Sequence, residues 1–205
     1  MELVPPVAVV DDFLDRDTLD ELTAWTLARE TAFEPTRIGR AKLSKPGIRA
    51  SNSIPNITFD PWRERIRAFV TPWLPTLATD AGVTPFDPER LEVQLVAHND
   101  GDYYVPHIDT AVGGVGNPRN ATRALSIVYY FHAEPRAFTG GALRVHSFLP
   151  SSDATRDIEP LRNRLVAFIP WARHEVLPIA CPSKRFADSR FSINIWAHRT
   201  KDAPS

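Results

Sequence analysis

The chain has 205 residues, 43% of them hydrophobic, with 24 Lys and Arg against 25 Asp and Glu and a formal net charge of −1. That length suits one domain with a sizeable core, and so small a net charge argues against a general nucleic-acid or membrane-surface binder. The single cysteine, Cys181, excludes an internal disulfide, and no apolar run is long enough to span a bilayer.

In chain order, Val7-Ala8-Val9-Val10 reads as a short strand ended by Asp11-Asp12. Asp15 or Asp17 can cap a helix running to about Ala32, with Leu19, Leu22, Trp25 and Ala28 on one face. Residues 34–56 mix Pro, Gly, Ser and basic side chains and read as loop with one or two edge strands, Arg49-Ala50-Ser51 among them. Asp60-Pro61 predicts a second helix start, a capping Asp before Pro at the first helical position. Trp62, Ile66, Phe69, Val70 and Trp73 then recur at helical spacing, and Pro72 and Pro75 end or kink that helix near Thr71.

From Leu91 the pattern changes to period two and to short apolar runs. Strands are predicted over 91–98, 103–109, 123–131, 142–147, 164–169, 174–178 and 190–197. Gly113–Gly116 and Gly140-Gly141 break the series. Many short strands behind an N-terminal helical layer predict a mainly β, two-sheet jelly roll.

Chemistry concentrates in two places. Tyr103 to Asp109 puts His107 and Asp109 on one face of a strand, where an imidazole and a carboxylate can hold adjacent positions on one metal ion. Downstream, His174 follows the apolar run Leu165 to Pro170, and Arg190, Ser192, Asn194 and Trp196 share one face of a later strand. Neither place is specific alone: His-x-Asp recurs by chance, and a strand-end His is more often structural.

The ordered set is more specific. His107-x-Asp109, Gly140 to Val145, Asp157 to Pro160, Arg164 to Phe168, His174-Glu175-Val176 and Arg190 resemble, in that order, the Fe(II)/2-oxoglutarate-dependent dioxygenases, most of all their prolyl-hydroxylase branch. Arg123 through Tyr129-Tyr130 matches too, and the resemblance covers about residues 90–198. It implies a double-stranded β-helix core over 90–198, with residues 1–89 as helical support and substrate loops of the same single domain. It implies iron(II) held by His107, Asp109 and His174, with 2-oxoglutarate and dioxygen in the remaining positions. Arg190 would bind the distal carboxylate of 2-oxoglutarate through a two-pronged hydrogen bond that Lys cannot reproduce. Ser192 and Tyr130 would add donors, and Leu143 would line the apolar side. Trp196 would border the iron or belong to the core.

Two features depart from that pattern. His98 stands where the branch often has a Tyr contacting the cosubstrate, and it either donates in its place or faces solvent. The stretch from His174 to Arg190 is long and leaves Lys184 or Arg185 as rival anchors. Residues 34–56 and 113–119 are expected to flank the iron entrance, with Arg49 contacting a substrate carboxylate; a solvated loop is the alternative for 34–56. His132, His146, His198 and Cys181 receive no role.

The functional expectation is a hydroxylase of an unactivated C–H bond in a prolyl residue, an amino acid or a small natural product, cytoplasmic, with no nucleic-acid or membrane partner. The alternatives are a β-helix domain that binds metal without turnover and serves as a binding or sensing module, and a cupin-like enzyme using another metal without 2-oxoglutarate. A succinate assay separates the three.

Overall fold

The computed structural model describes residues 3–36, 47–111, 120–149 and 151–200. In chain order its N-terminal part contains β1 (Val7–Val10), α1 (Arg16–Leu27), β2 (Glu34–Pro35), β3 (Arg49–Ala50), β4 (Asn52–Ser53), α2 (Asn56–Val70) and α3 (Leu74–Asp80). There follow β5 (Arg90–His98), β6 (Tyr103–His107), β7 (Arg123–Phe131), β8 (Thr139–Gly140), β9 (Leu143–His146) and β10 (Thr155–Ile158). The chain continues with β11 (Arg164–Phe168), β12 (His174–Val176), β13 (Ile179–Ala180) and β14 (Arg190–His198).

Among the described residues the strands form a seven-stranded sheet, in the order β1-β11-β7-β14-β5-β4-β2, and a five-stranded sheet, in the order β10-β9-β12-β6-β3. A small β13-β8 pair completes them. Every pairing is antiparallel. The architecture is a double-stranded β-helix with helices on the outer face of the larger sheet.

Period-two alternation in the long central strands separates the two sides of that sheet. Leu91, Val93, Leu95 and Ala97 of β5, Leu125, Ile127, Tyr129 and Phe131 of β7, and Phe191, Ile193 and Ile195 of β14 share one core with the helices. The helices contribute Leu19, Leu22, Phe59, Trp62, Ile66, Val70 and Leu77 to it. Each such side chain, fully buried, contributes roughly 1.5–3 kcal/mol. The opposite face of β7 and β11 sends Tyr130, Val166 and Phe168 into a second core with Leu143, Val145 and Ile158 from the smaller sheet.

Both helical expectations need correction. Asp15 is the N-cap of α1, its carboxylate accepting from the Thr18 backbone N–H at 2.8 Å, but the α-helix ends at Leu27 and a 3-10 turn follows over Glu30–Ala32. Ala28 is exposed, while Thr23 and Thr26 are buried. Their hydroxyls donate to the carbonyls of Leu19 and Leu22, each at 2.8 Å, so two polar residues can occupy the core face. Helix α2 starts at Asn56, ahead of Pro61, which lies inside it. Burying Phe59, 0% exposed and 5.7 Å from the Trp25 ring, outweighs the local preference for Pro at the first helical position.

Candidate active site

Strands β6 and β12 are neighbours in the smaller sheet, and their register puts His174 opposite His107. The predicted strand through Asp109 stops at His107. Beyond it the Asp109 N–H donates to the Pro170 carbonyl at 2.8 Å, and the Asp109 carbonyl accepts from Arg123 Nη1 at 3.0 Å. These bonds replace the ladder and bring the carboxylate to both imidazoles. Asp109 Oδ1 is 3.6 Å from His107 Nε2, and Oδ2 is 3.7 Å from His174 Nε2. One ligand atom from each of the three residues lies within 4.8 Å of the others.

The other ring nitrogens set the tautomers. His107 Nδ1 lies 2.9 Å from the Val105 carbonyl, and His174 Nδ1 lies 2.9 Å from the Ala172 carbonyl. A carbonyl only accepts, so in each neutral ring Nδ1 carries the proton and Nε2 presents a lone pair to the cluster. Burial, reinforced by the neighbouring His174, pushes the His107 pKa down to about 3. Burial alone would raise Asp109, but His174, His107 and the Trp196 N–H hold it below the ordinary carboxylate value. Two imidazoles presenting Nε2 and one carboxylate form the donor set that iron(II) oxygenases use.

Asp109 is held by residues from the larger sheet. Ser126 Oγ donates to Asp109 Oδ2 at 2.7 Å, and Trp196 Nε1 donates to the same oxygen at 2.9 Å. The Arg123 guanidinium lies 3.9 Å from the Trp196 ring centre and donates to Glu92 at 2.9 Å. Trp196 therefore orients a candidate metal ligand, a contact that its strand parity alone did not indicate. Nothing in the sequence marks Ser126, although it shares Tyr130's parity on β7, because a strand serine carries no specific motif.

The far side of the cavity is built on β14 and β5. Arg190 is 2% exposed, its guanidinium lies 4.7 Å from the Tyr130 ring centre, and Nη1 donates to His98 Nδ1 at 3.2 Å. Guanidinium groups cannot accept, so His98 Nδ1 is the acceptor and the neutral ring keeps its proton on Nε2. Burial, then the charges of Arg190 and Arg49, hold the His98 pKa well below its ordinary value. His98 is thus a buried donor and does not face solvent. Gly141 (φ +72°) makes room for Arg190: a Cβ there would stand 2.9 Å from Arg190 Cδ and 2.6 Å from Ile179 Cγ1.

His98 Nε2, Tyr130 Oη and Arg190 Nε are buried without a hydrogen-bond partner. Leaving such groups unpaired costs about 1–3 kcal/mol each, more when charged. A bound carboxylate would satisfy this set, so the chain's residues fit 2-oxoglutarate as well as iron.

His107, Asp109, His174, Arg190, Ser192, Tyr130, His98, Leu143, Arg49 and Trp196 all line one cavity. The rival anchors do not: the Lys184 and Arg185 side chains are both 73% exposed, and they pair with Asp100 and Asp188. Cys181 is buried against Asp188 and Ser183, away from the cavity. Of the two entrance segments, Arg49 on β3 reaches the cavity, whereas residues 37–46 and 112–119 lie outside the described residues.

The model of the 2OG-Fe(II) oxygenase superfamily matches residues 93–198, just over half of the chain. An uncharacterized PKHD-type hydroxylase from Synechocystis sp. is 38% identical over 143 residues, 67% of this chain and 44% of that protein. The match thus spans less than half the length of that relative. Among solved structures, a Pseudomonas putida prolyl-4-hydroxylase superposes with a TM-score of 0.63 at 20% identity, covering 96% of this chain and 94% of that one. A Trichoplax adhaerens prolyl hydroxylase, solved with a hypoxia inducible factor peptide fragment, gives 0.66 at 16% identity, covering 95% and 84%. At these identities the two structures speak for the fold.

Proposed function

Because the chain belongs to the 2OG-Fe(II) oxygenase superfamily, we propose that it hydroxylates an unactivated C–H bond, with His107, Asp109 and His174 holding iron(II) and Arg190 anchoring 2-oxoglutarate. The observation that carries this reading is one cavity with two ends: the His107, Asp109 and His174 cluster at one, and unpartnered buried donors around Arg190 at the other. When bound, iron(II), 2-oxoglutarate and dioxygen supply an oxidative decarboxylation to succinate and carbon dioxide, coupled to insertion of one oxygen into a substrate C–H bond.

The protein's own part is positioning. Trp196 and Ser126 fix the Asp109 carboxylate, and the Val105 and Ala172 carbonyls fix the two imidazoles. Arg190, with His98 Nε2–H and the Tyr130 hydroxyl, binds the distal carboxylate, and Ser192 adds a further hydroxyl. Leu143 closes the apolar side against water. The whole chain acts as one catalytic unit, residues 90–198 forming the core and residues 1–89 its support. The substrate is a prolyl residue, an amino acid or a small natural product. The protein works in the cytoplasm, where iron(II) and 2-oxoglutarate are available; no described helix is long and apolar enough to cross a membrane.

The test is a substrate screen of the iron-loaded protein, following succinate and a product heavier by one oxygen atom. Succinate formation with a matching product supports the hydroxylase. Binding of 2-oxoglutarate with no turnover on any substrate would favour the binding or sensing module.

A further inference from the structure

The cavity contains a second guanidinium that neither iron nor 2-oxoglutarate requires. Arg49 lies on β3, which pairs with β6 at Tyr104, and it lines the same cavity as His107 and Asp109. Its Nε donates to Ser51 Oγ at 2.8 Å, and Ser51 Oγ donates in turn to Thr36 Oγ1 at 3.0 Å. Its guanidinium lies 4.9 Å from the centre of the Tyr104 ring, which stacks on the His107 ring at 3.6 Å. Two neutral contacts thus fix the group beside the candidate iron site. Among the described residues Arg49 makes no ion pair, and its two terminal nitrogens have no hydrogen-bond partner. Burial weighs against its charge.

An unpaired guanidinium in a cavity is held at a cost unless a ligand supplies the counter-charge. Geometry indicates which kind. Asp109 and Asp102 act on Arg49 through space, but neither forms an ion pair or a hydrogen bond with it. A carboxylate supplies one counter-charge at contact, and its two oxygens match the planar fork that Arg49 turns away from Ser51. An internal residue of a peptide offers only neutral amides.

We propose that the substrate is a small molecule bearing a free carboxylate, and that Arg49 holds this carboxylate beside the iron. This rests on the oxygenase reading above and narrows its substrate to carboxylic acids, free amino acids included, with Arg49 setting the specificity.

The experiment is calorimetric binding to protein loaded with Mn(II) and 2-oxoglutarate, which does not depend on turnover. The probes are the standard L-amino acids and a series of short monocarboxylic acids, each beside its primary amide, together with an end-capped prolyl peptide. At least one acid should bind, and its amide should bind roughly 10- to 100-fold more weakly. Arg49→Gln should lose that discrimination, and Arg49→Lys should keep part of it. Both variants should bind 2-oxoglutarate within about threefold of the parent, which also shows that they fold. The inference is overturned if no acid binds, if acids and amides bind alike, or if the capped peptide binds parent and Arg49→Gln equally well. A loss of 2-oxoglutarate affinity in Arg49→Gln as large as in an Arg190 variant would also overturn it, placing Arg49 on the cosubstrate. Failure of the parent to bind 2-oxoglutarate would sink the oxygenase reading itself, and this inference with it.

Discussion

At the scale of single residues, the account depends on which cation meets the cosubstrate and on what holds the metal carboxylate. Arg190 is buried, is bonded to His98 and keeps an unpaired Nε, whereas Lys184 and Arg185 stand in solvent. Losing one charge-assisted hydrogen bond costs about 1.5–3 kcal/mol. Arg190→Lys should therefore weaken 2-oxoglutarate binding roughly 10- to 100-fold, while Lys184→Ala and Arg185→Ala leave it nearly unchanged. Titrating the cosubstrate at fixed metal checks all three, and the reverse pattern would move the anchor off β14. Trp196 gives a second test. Trp196→Phe keeps the ring but removes the N–H on Asp109 Oδ2. Loss of such a supporting bond typically lowers metal affinity by about 10- to 100-fold. A competitive Fe(II) titration should show that loss for Trp196→Phe; parental affinity would mean that Asp109 needs no donor from β14.

At the scale of elements, one buried side chain ties the helical layer to the sheet. Asn163 (φ +66°) lies just before β11. Its Oδ1 accepts from the Leu14 N–H and the Tyr129 hydroxyl, each at 2.9 Å, and its Nδ2 donates to the Leu14 carbonyl at 2.8 Å. Asn163→Gly should cost about 3 kcal/mol by leaving those groups unpaired. Asn163→Ala should cost roughly 1 kcal/mol more, since a Cβ is strained at that φ. Chemical denaturation gives the order parent, Gly, Ala; an Ala variant as stable as the parent would remove Asn163 from this role. No pattern in the sequence singled out Asn163, because its partners at Leu14 and Tyr129 are distant in the chain. The long strands were readable because their faces alternate over nine residues, as in β7 and β14. The start of α2 was not, because Asp60-Pro61 is a strong local cue and the burial of Phe59 that overrides it is a tertiary fact. At the candidate site, His107, Asp109, His174 and Arg190 stand in the sequence as an ordered set of motifs. Ser126 and the Trp196 contact appear only when β7 and β14 are laid side by side in register.

At the scale of the whole molecule, the site's neutral histidines should make stability depend on pH. Burial, with Arg190 and Arg49 nearby, lowers the His98 pKa, and burial with His174 lowers that of His107 to about 3. An unfolded imidazole takes up its proton near pH 6.5. Below that pH the unfolded state binds more protons than the native state, so stability falls as the pH falls. For His107 the window runs from about 6.5 to about 3. His107 should remove about 2 kcal/mol between pH 6.5 and 5 in the metal-free protein, and His98 acts in the same direction. Denaturant unfolding at pH 7, 6 and 5 measures this, and His98→Gln should flatten its share of the slope. A stability that is level or rises toward pH 5 would show that these rings are protonated in the native state.

The central claim is that one cavity between the two sheets binds iron at His107, Asp109 and His174 and 2-oxoglutarate at Arg190. Its most direct test is a crystal structure of the protein with Mn(II) in place of iron and with 2-oxoglutarate. The account predicts a metal bound by Nε2 of His107, Nε2 of His174 and the Asp109 carboxylate, with the distal carboxylate of 2-oxoglutarate on Arg190 and His98 Nε2. A metal held elsewhere, or a cosubstrate whose distal carboxylate sits on Arg49 and leaves Arg190 unpaired, would contradict it.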